Sequence, residues 1–171
     1  MEDYWPYITI IILVACSAFF SASEIAYASL NKLRLKNAAG EGGLRAIWAG
    51  RIVDQYERAL CTILMGNNLV NIGASSVGTV IAMELVGGEQ GAAYATAIMT
   101  VIILIFGEIV PKQVAKQHAD SFALTVSPLM RFLTIVTRPL VTVVMFLVNH
   151  ISRLWGGKGE AQGITADELV T

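Results

Sequence analysis

Hydrophobic positions along the chain form long, nearly continuous runs. Three of them cover about residues 7–30, 59–86 and 92–111, and each reaches the length of about 20 residues that an α-helix needs to cross hydrocarbon. An aromatic group at Tyr4, Trp5 and Tyr7 precedes the first run, as is typical of a membrane interface. The pattern therefore predicts an all-α polytopic membrane protein with three transmembrane helices.

The segments outside these runs are more polar or are interrupted. Residues 31–58 mix basic and apolar positions and predict two short amphipathic helices on the membrane surface. Residues 120–155 are apolar, but Pro128 and Pro139 interrupt them. We expect an interfacial, belt-like helix there, with a kinked fourth span as the alternative.

The C-terminal tail changes character again. Residues 156–171 begin with a glycine-rich stretch and then place Thr165 three residues before Glu168, which is typical of a capped helix start. The sequence thus predicts a transmembrane domain over residues 1–155, followed by a linker.

Composition and charge support a membrane protein and indicate its orientation. The chain has 171 residues, of which 55% are hydrophobic and only 15% are charged. All 12 lysines and arginines lie in residues 31–58 or after residue 111. Basic residues concentrate on the cytoplasmic side, so we expect a plasma-membrane protein with its N-terminus outside and its C-terminus inside. Because this membrane orientation pattern accounts for the basic residues, we expect no nucleic-acid partner.

Polar side chains inside the runs mark a candidate site. They are Ser17, Ser21 and Glu24 in the first span, Asn67 and Asn71 in the second, and Glu108 with Gly107 in the third. At a rise of about 1.5 Å per residue, most of these positions fall at the membrane midplane or in its inner half. Ionisable residues at such a depth are typical of ion or substrate paths.

Pro111 adds a backbone ligand to this group. Proline has no N–H to donate, and the carbonyl four residues before it belongs to Gly107. We therefore expect a broken helix end with the Gly107 carbonyl free beside Glu108. Pro111 could also be only a kink or a helix stop.

The candidate ligands are all oxygens: hydroxyls, an amide, a carboxylate and a carbonyl. Such a set favours Mg²⁺, Ca²⁺, Na⁺ or Mn²⁺, and the residues alone do not choose among them. Asn68 and Asn71 could instead join helices, and Glu24 could pair with Lys112 or face the cytoplasmic mouth. We expect no enzyme, because the chain shows no nucleophile–base pair and no His-Glu metal motif.

Three motifs resemble one family. Ser17-Ala-Phe-Phe-Ser-Ala-Ser-Glu24, Gly66-Asn-Asn-Leu-Val-Asn71 and Phe106-Gly-Glu-Ile-Val-Pro-Lys112 are similar to motifs of the transmembrane domain of the CNNM/CorC magnesium transporters. The resemblance extends from about residue 5 to residue 155 and includes the order and spacing of the motifs. The tail over 156–171 resembles the segment leading to that family's cytosolic CBS-domain pair, which is absent from this sequence.

The resemblance implies a fold and an activity. It implies a homodimer of three spanning helices with a juxtamembrane belt, and Mg²⁺ export coupled to Na⁺. The implied Mg²⁺ site consists of Ser17, Ser21, Asn67, Gly107 and Pro111, and the acidic position of the third motif falls on Glu108. We thus expect transport of a largely dehydrated Mg²⁺, with a membrane-anchored Mg²⁺ sensor or scaffold as the alternative.

Overall fold

The computed structural model describes residues 4–86 and 88–155, without the side chains of 88–89 and 153–155. Over these residues the chain is all-helical and contains no strand, which confirms the predicted class. In chain order the helices are α1 (Trp5–Ser29), α2 (Lys32–Gly40), α3 (Leu44–Asp54), α4 (Tyr56–Val86), α5 (Gly88–Ile102), a π-helical segment (Ile103–Ile109), α6 (Val110–Gln117), α7 (Ala119–Val136) and α8 (Arg138–Trp155).

The three predicted spans are present and somewhat longer than expected. Helices α1 and α4 are two of them, and the third is a continuous helical run over Gln90–Gln117. Helix α7 is also long and apolar enough to cross a membrane. The described part of the chain therefore holds four candidate spans, and the fourth lies where the sequence left a kinked span open as the alternative.

The expected break at Pro111 is wrong. The π-helical segment connects α5 to α6 without interruption, and the N–H of Val110 bonds the carbonyl of Ile105, five residues back. Pro111 then falls in the first turn of α6, where proline is well tolerated. Because the π-helical segment leads directly into α6, the missing N–H of Pro111 does not interrupt the helix.

Pro128 does not break its helix either. It lies inside α7, and the carbonyl four residues before it belongs to Leu124. The Ser127 hydroxyl lies 2.9 Å from that carbonyl oxygen and so replaces the missing backbone donor. Helix α7 ends at Val136, and α8 begins at Arg138, immediately before Pro139.

Residues 31–58 contain the two short helices that the sequence predicts. The side chain of Asn31 caps α2 by accepting the N–H groups of Leu33 and Arg34. Gly42 takes a positive φ of 83°, which allows the tight turn into α3.

The described residues divide into two compact units, at the junction between Thr137 and Arg138. In the first unit, small residues let α1 pack closely, since Ala22 and Ala26 are buried. The Tyr27 hydroxyl donates to the carbonyl of Ala123 at 3.1 Å and joins α1 to α7. Large apolar side chains such as Ile11, Leu69 and Phe106 are exposed, as expected of a surface in contact with lipid.

The second unit contains α8. Within it, Thr142 donates to the carbonyl of Arg138 at 2.8 Å, and the rings of Phe146 and His150 stack at 6.1 Å. Residues 156–171, with the predicted linker and the helix start at Thr165, lie outside the described residues.

Candidate cation site

Three oxygen atoms from three different helical elements meet at Ser17. Its side chain is wholly buried on α1. Its Oγ lies 2.9 Å from Asn67 Oδ1 on α4 and 3.4 Å from the carbonyl oxygen of Gly107 in the π-helical segment. We call these three residues the oxygen cluster.

The oxygen cluster has too few protons for its acceptors. A serine hydroxyl donates one proton, and the short contact to Asn67 uses it. The Gly107 carbonyl oxygen lies 3.4 Å from Ser17 Oγ and therefore accepts only a weak hydrogen bond from it. Asn67 and Gly107 thus present two acceptor oxygens to the single proton of Ser17. A cation at this place would be stabilised by both oxygens.

The close approach of α1 to the π-helical segment requires glycine. A Cβ atom at Gly107 would lie 2.7 Å from Ser17 Oγ, closer than real Cβ contacts come. A Cβ atom at Gly66 on α4 would likewise lie 2.4 Å from the ring of Phe20 on α1. Glycine in the second and third motifs thus lets α4 and the π-helical segment come near α1 at the depth of the oxygen cluster.

The π-helical segment itself belongs to the site. Such segments are rare and are frequently found where proteins bind ligands. Here the widened turn contains Gly107, whose backbone is buried against Ser17. Pro111 thus acts through the backbone and offers no side-chain ligand of its own.

Ser21 lies one helical turn from Ser17 on the same face of α1. Its side chain is wholly buried, and its Oγ has no hydrogen-bond partner among the described residues. An unpaired buried hydroxyl costs free energy of about 1–3 kcal/mol. The position and the unused lone pairs of Ser21 therefore fit a further cation ligand.

Glu108 faces a different space from the oxygen cluster. Its carboxylate accepts a hydrogen bond from Asn71 Nδ2 at 3.3 Å, while Asn71 Oδ1 is buried without a partner in the described residues. The two side chains line a groove of about 490 Å³ between α4 and the third span. The other polar side chains of this groove are Asn68, Ser75, Ser76, Thr79 and Thr100. Glu108 therefore places its negative charge beside the oxygen cluster without a direct contact to Ser17.

Glu24 continues the polar face of α1 beyond Ser21. Its Oε2 lies 3.1 Å from Nζ of Lys112 on α6. The sequence left two roles open for Glu24, and the structure shows the ion pair.

Of the six residues that the sequence proposed, the structure brings Ser17, Asn67 and Gly107 into contact and places Ser21 one turn away. Pro111 acts through the backbone, and Glu108 turns into the groove. The pairing of Asn71 with Glu108 was missed, although both residues lie at similar depth. The helical spacing of Asn67 and Asn71 was the signal that could have indicated it.

Long apolar helices around a buried set of polar oxygen atoms define a helical integral membrane protein with a polar site between its helices. Residues 8–171 match the family described as the cyclin M transmembrane N-terminal domain, abbreviated CNNM. This chain therefore belongs to the CNNM family, as its three motifs indicated.

Several curated relatives are similar over nearly the whole chain. A UPF0053 protein of Haemophilus influenzae is 37% identical over 95% of this chain and 39% of its own length. The UPF0053 inner membrane protein YfjD of Escherichia coli is 36% identical over 91% of this chain and 37% of its own length. A polyamine export protein of Haemophilus influenzae is 27% identical over 99% of this chain and 42% of its own length. The chain thus spans about two fifths of the length of these relatives.

Proposed function

We propose that this chain forms the membrane part of a Mg²⁺ transporter and that the oxygen cluster is where the ion sheds most of its water. The observation that supports this most is the shortage of protons at Ser17, where one hydroxyl proton faces the oxygens of Asn67 and Gly107. Neutral oxygens that converge without donors suit a hard cation.

A Mg²⁺ ion could replace the hydroxyl proton between Ser17 and Asn67 without changing the separation that their hydrogen bond sets. Oxygens about 2.05 Å from a central Mg²⁺ in an octahedron are about 2.9 Å apart along an edge. Ser17 Oγ and Asn67 Oδ1 are separated by 2.9 Å. Gly107 O, at 3.4 Å from Ser17 Oγ, would need to approach by about 0.5 Å to complete a second edge.

Charge compensation comes from outside the oxygen cluster in this proposal. The cluster itself is neutral, whereas Glu108 places a carboxylate in the adjacent groove. A negative charge inside a low-dielectric membrane acts over a longer distance than in water. Glu108 therefore favours a cation at the cluster or holds a coupling ion such as Na⁺ in the groove.

The proposed cycle has two states. Mg²⁺ enters from the cytoplasmic side, binds between α1, α4 and the π-helical segment, and leaves outside after the helices rock against one another. Export coupled to Na⁺ and a homodimeric assembly in the plasma membrane, with the C-terminus inside, belong to the same proposal and follow from the family resemblance.

A transport assay in proteoliposomes tests the proposal. Purified protein is reconstituted with a trapped Mg²⁺ indicator, and flux is followed under a Mg²⁺ gradient. Asn67→Ala is expected to abolish both Mg²⁺ binding and flux, because it removes an oxygen from the cluster. Thr96→Ala is the control, since this exposed hydroxyl donates only within its own helix and should leave Mg²⁺ binding and flux unchanged.

Two results would overturn the proposal. Wild-type flux in Asn67→Ala would show that the oxygen cluster does not carry the ion. Mg²⁺ binding without flux in the wild type would show a sensor or scaffold. A parallel measurement with putrescine distinguishes the rival cargo, which the name of one relative suggests.

A further inference from the structure

One face of α1 carries three polar side chains in a row. Ser17, Ser21 and Glu24 follow the spacing i, i+4 and i+7, so they lie along one line on the helix. Ser17 belongs to the oxygen cluster, and Ser21 is wholly buried with an unpartnered Oγ between it and Glu24. At about 1.5 Å per residue, Glu24 lies about 10 Å from Ser17 along the helix axis. These oxygens form a file that leads from the cluster toward the inner end of α1.

A tethered cation occupies the far end of this file. Lys112 Nζ lies 3.1 Å from Glu24 Oε2. The side chains of Lys112 and Glu24 are 33% and 24% exposed, so the pair is not sealed inside the helix bundle. The other described ion pair of the chain, Arg34 with Asp120, is looser at 3.4 Å and far more exposed at its arginine.

The charges along the file explain why such a pair would matter for transport. The oxygen cluster contains no formal charge, and Glu108 turns into the groove toward Asn71. Glu24 is the carboxylate on the same helix face as Ser17 and Ser21. While Lys112 neutralises it, the file presents no net negative charge to an approaching cation. When Lys112 moves away, a full negative charge is exposed at the mouth.

We propose that Glu24 is a second cation-binding residue, at the cytoplasmic mouth of the path, and that Lys112 closes this mouth by competing with the ion. A divalent cation displaces the ammonium group, is held by Glu24, and passes Ser21 to reach the oxygen cluster. This inference rests on the proposed function, because it assigns the mouth of the same path.

A purely structural role makes different predictions. A salt bridge that only ties α1 to α6 would work equally well with its charges exchanged. A competing lysine must be on the third span and a receiving carboxylate on α1, beside Ser21. Exchange of the two charges therefore separates the two roles.

The experiment measures the half-saturating Mg²⁺ concentration for flux in proteoliposomes, with Mg²⁺ presented on the side where residues 31–58 lie. Lys112→Gln removes the competitor and should lower this concentration by about two- to fivefold. A change of this size corresponds to the strength of a partly exposed ion pair. Lys112→Arg holds a carboxylate with two parallel hydrogen bonds and should raise it.

Two further variants probe the carboxylate. Glu24→Gln should raise the half-saturating concentration by about tenfold, because the mouth loses its charge. The exchanged variant, Glu24→Lys with Lys112→Glu, should stay as poor as Glu24→Gln. Arg34→Gln, which removes the exposed ion pair with Asp120, is the matched control and should leave the concentration unchanged.

The outcomes separate failure of this inference from failure of the proposed function. If the exchanged variant restores wild-type flux and thermal stability, the pair is only a tether and the inference is overturned. If Lys112→Gln and Lys112→Arg shift the half-saturating concentration in the same direction, competition is also overturned. Should Lys112→Gln not fold, Lys112→Arg and the exchanged variant still decide. Retained flux in Asn67→Ala, by contrast, would defeat the proposed function itself.

Discussion

Ser17 and Gly107 are in contact so close that no side chain fits between them, although 90 residues separate them in the sequence. A methyl group at position 107 would meet Ser17 Oγ at 2.7 Å and Ser17 Cβ at 3.2 Å. Either the hydroxyl must rotate away from Asn67 or α1 must move away from the π-helical segment. Both changes open the oxygen cluster.

Gly107→Ala should therefore weaken Mg²⁺ binding by about 10- to 100-fold. A loss of this size corresponds to one lost hydrogen bond to a charged group. Isothermal titration of the detergent-solubilised protein measures this. Gly50→Ala is the matched control, because a Cβ atom there meets nothing within 4 Å. Wild-type affinity in Gly107→Ala would show that the close approach is unrelated to ion binding.

The two serines Ser17 and Ser23 offer a second matched pair on α1. Both side chains are wholly buried, but Ser23 donates at 2.7 Å to the carbonyl of Phe19 in its own helix. Ser17 instead reaches across to Asn67. Ser17→Ala should lower Mg²⁺ flux by about tenfold or more, whereas Ser23→Ala should leave it unchanged, because only Ser17 contributes an oxygen to the cluster.

Equal losses in the two serine variants would contradict this prediction. They would show that flux depends on the general packing of α1 rather than on the Ser17 oxygen. Thermal unfolding of both variants in detergent supplies the necessary comparison of stability.

Glu108 should act through its charge, because its carboxylate bonds to Asn71 and does not contact Ser17. Glu108→Gln keeps the size of the side chain and removes the charge, so Mg²⁺ binding should weaken by about tenfold or more. Glu108→Asp keeps the charge in the groove and should retain most of the affinity. If Asp is as poor as Gln in a binding titration, Glu108 is a direct ligand with strict geometry.

The spans and the meeting of Ser17, Asn67 and Gly107 could be predicted because they depend on local rules. A run of apolar residues long enough to cross a membrane is visible in one sequence, and so are Ser17, Asn67 and Gly107 at matching depth. The helical rise gives the depth of each residue, and the cost of burying polar groups marks those residues as unusual.

The direction of Glu108 could not be predicted in the same way. A π-helical turn contains an extra residue, which rotates the helix beyond it by about 100° relative to a regular α-helix. Glu108 lies inside this segment, so regular α-helical spacing does not give the direction of its side chain toward Asn71. The turn is supported by contacts of Gly107 with Ser17, which lies 90 residues away. Rules for an isolated helix therefore predicted a break at Pro111. The structure instead has a wider, π-helical turn, which occurs together with the contact between Gly107 and Ser17.

Ser127 also shows how a tertiary environment keeps a helix continuous at a proline, in this case Pro128 of α7. Its Oγ lies 2.9 Å from the carbonyl of Leu124, which Pro128 leaves without a donor, and 3.0 Å from the carbonyl of Arg45 in α3. Ser127→Ala removes a wholly buried hydroxyl and leaves both acceptors without it. The free energy of unfolding should fall by about 1–3 kcal/mol.

Thermal unfolding in detergent checks this value, with Ser121→Ala as the control on an exposed face of the same helix. The loss should be specific to Ser127, because its single hydroxyl proton is shared between the carbonyls of Leu124 in α7 and Arg45 in α3. If Ser127→Ala is as stable as the control, α7 tolerates Pro128 without a replacement donor, and the continuity of this helix needs another explanation.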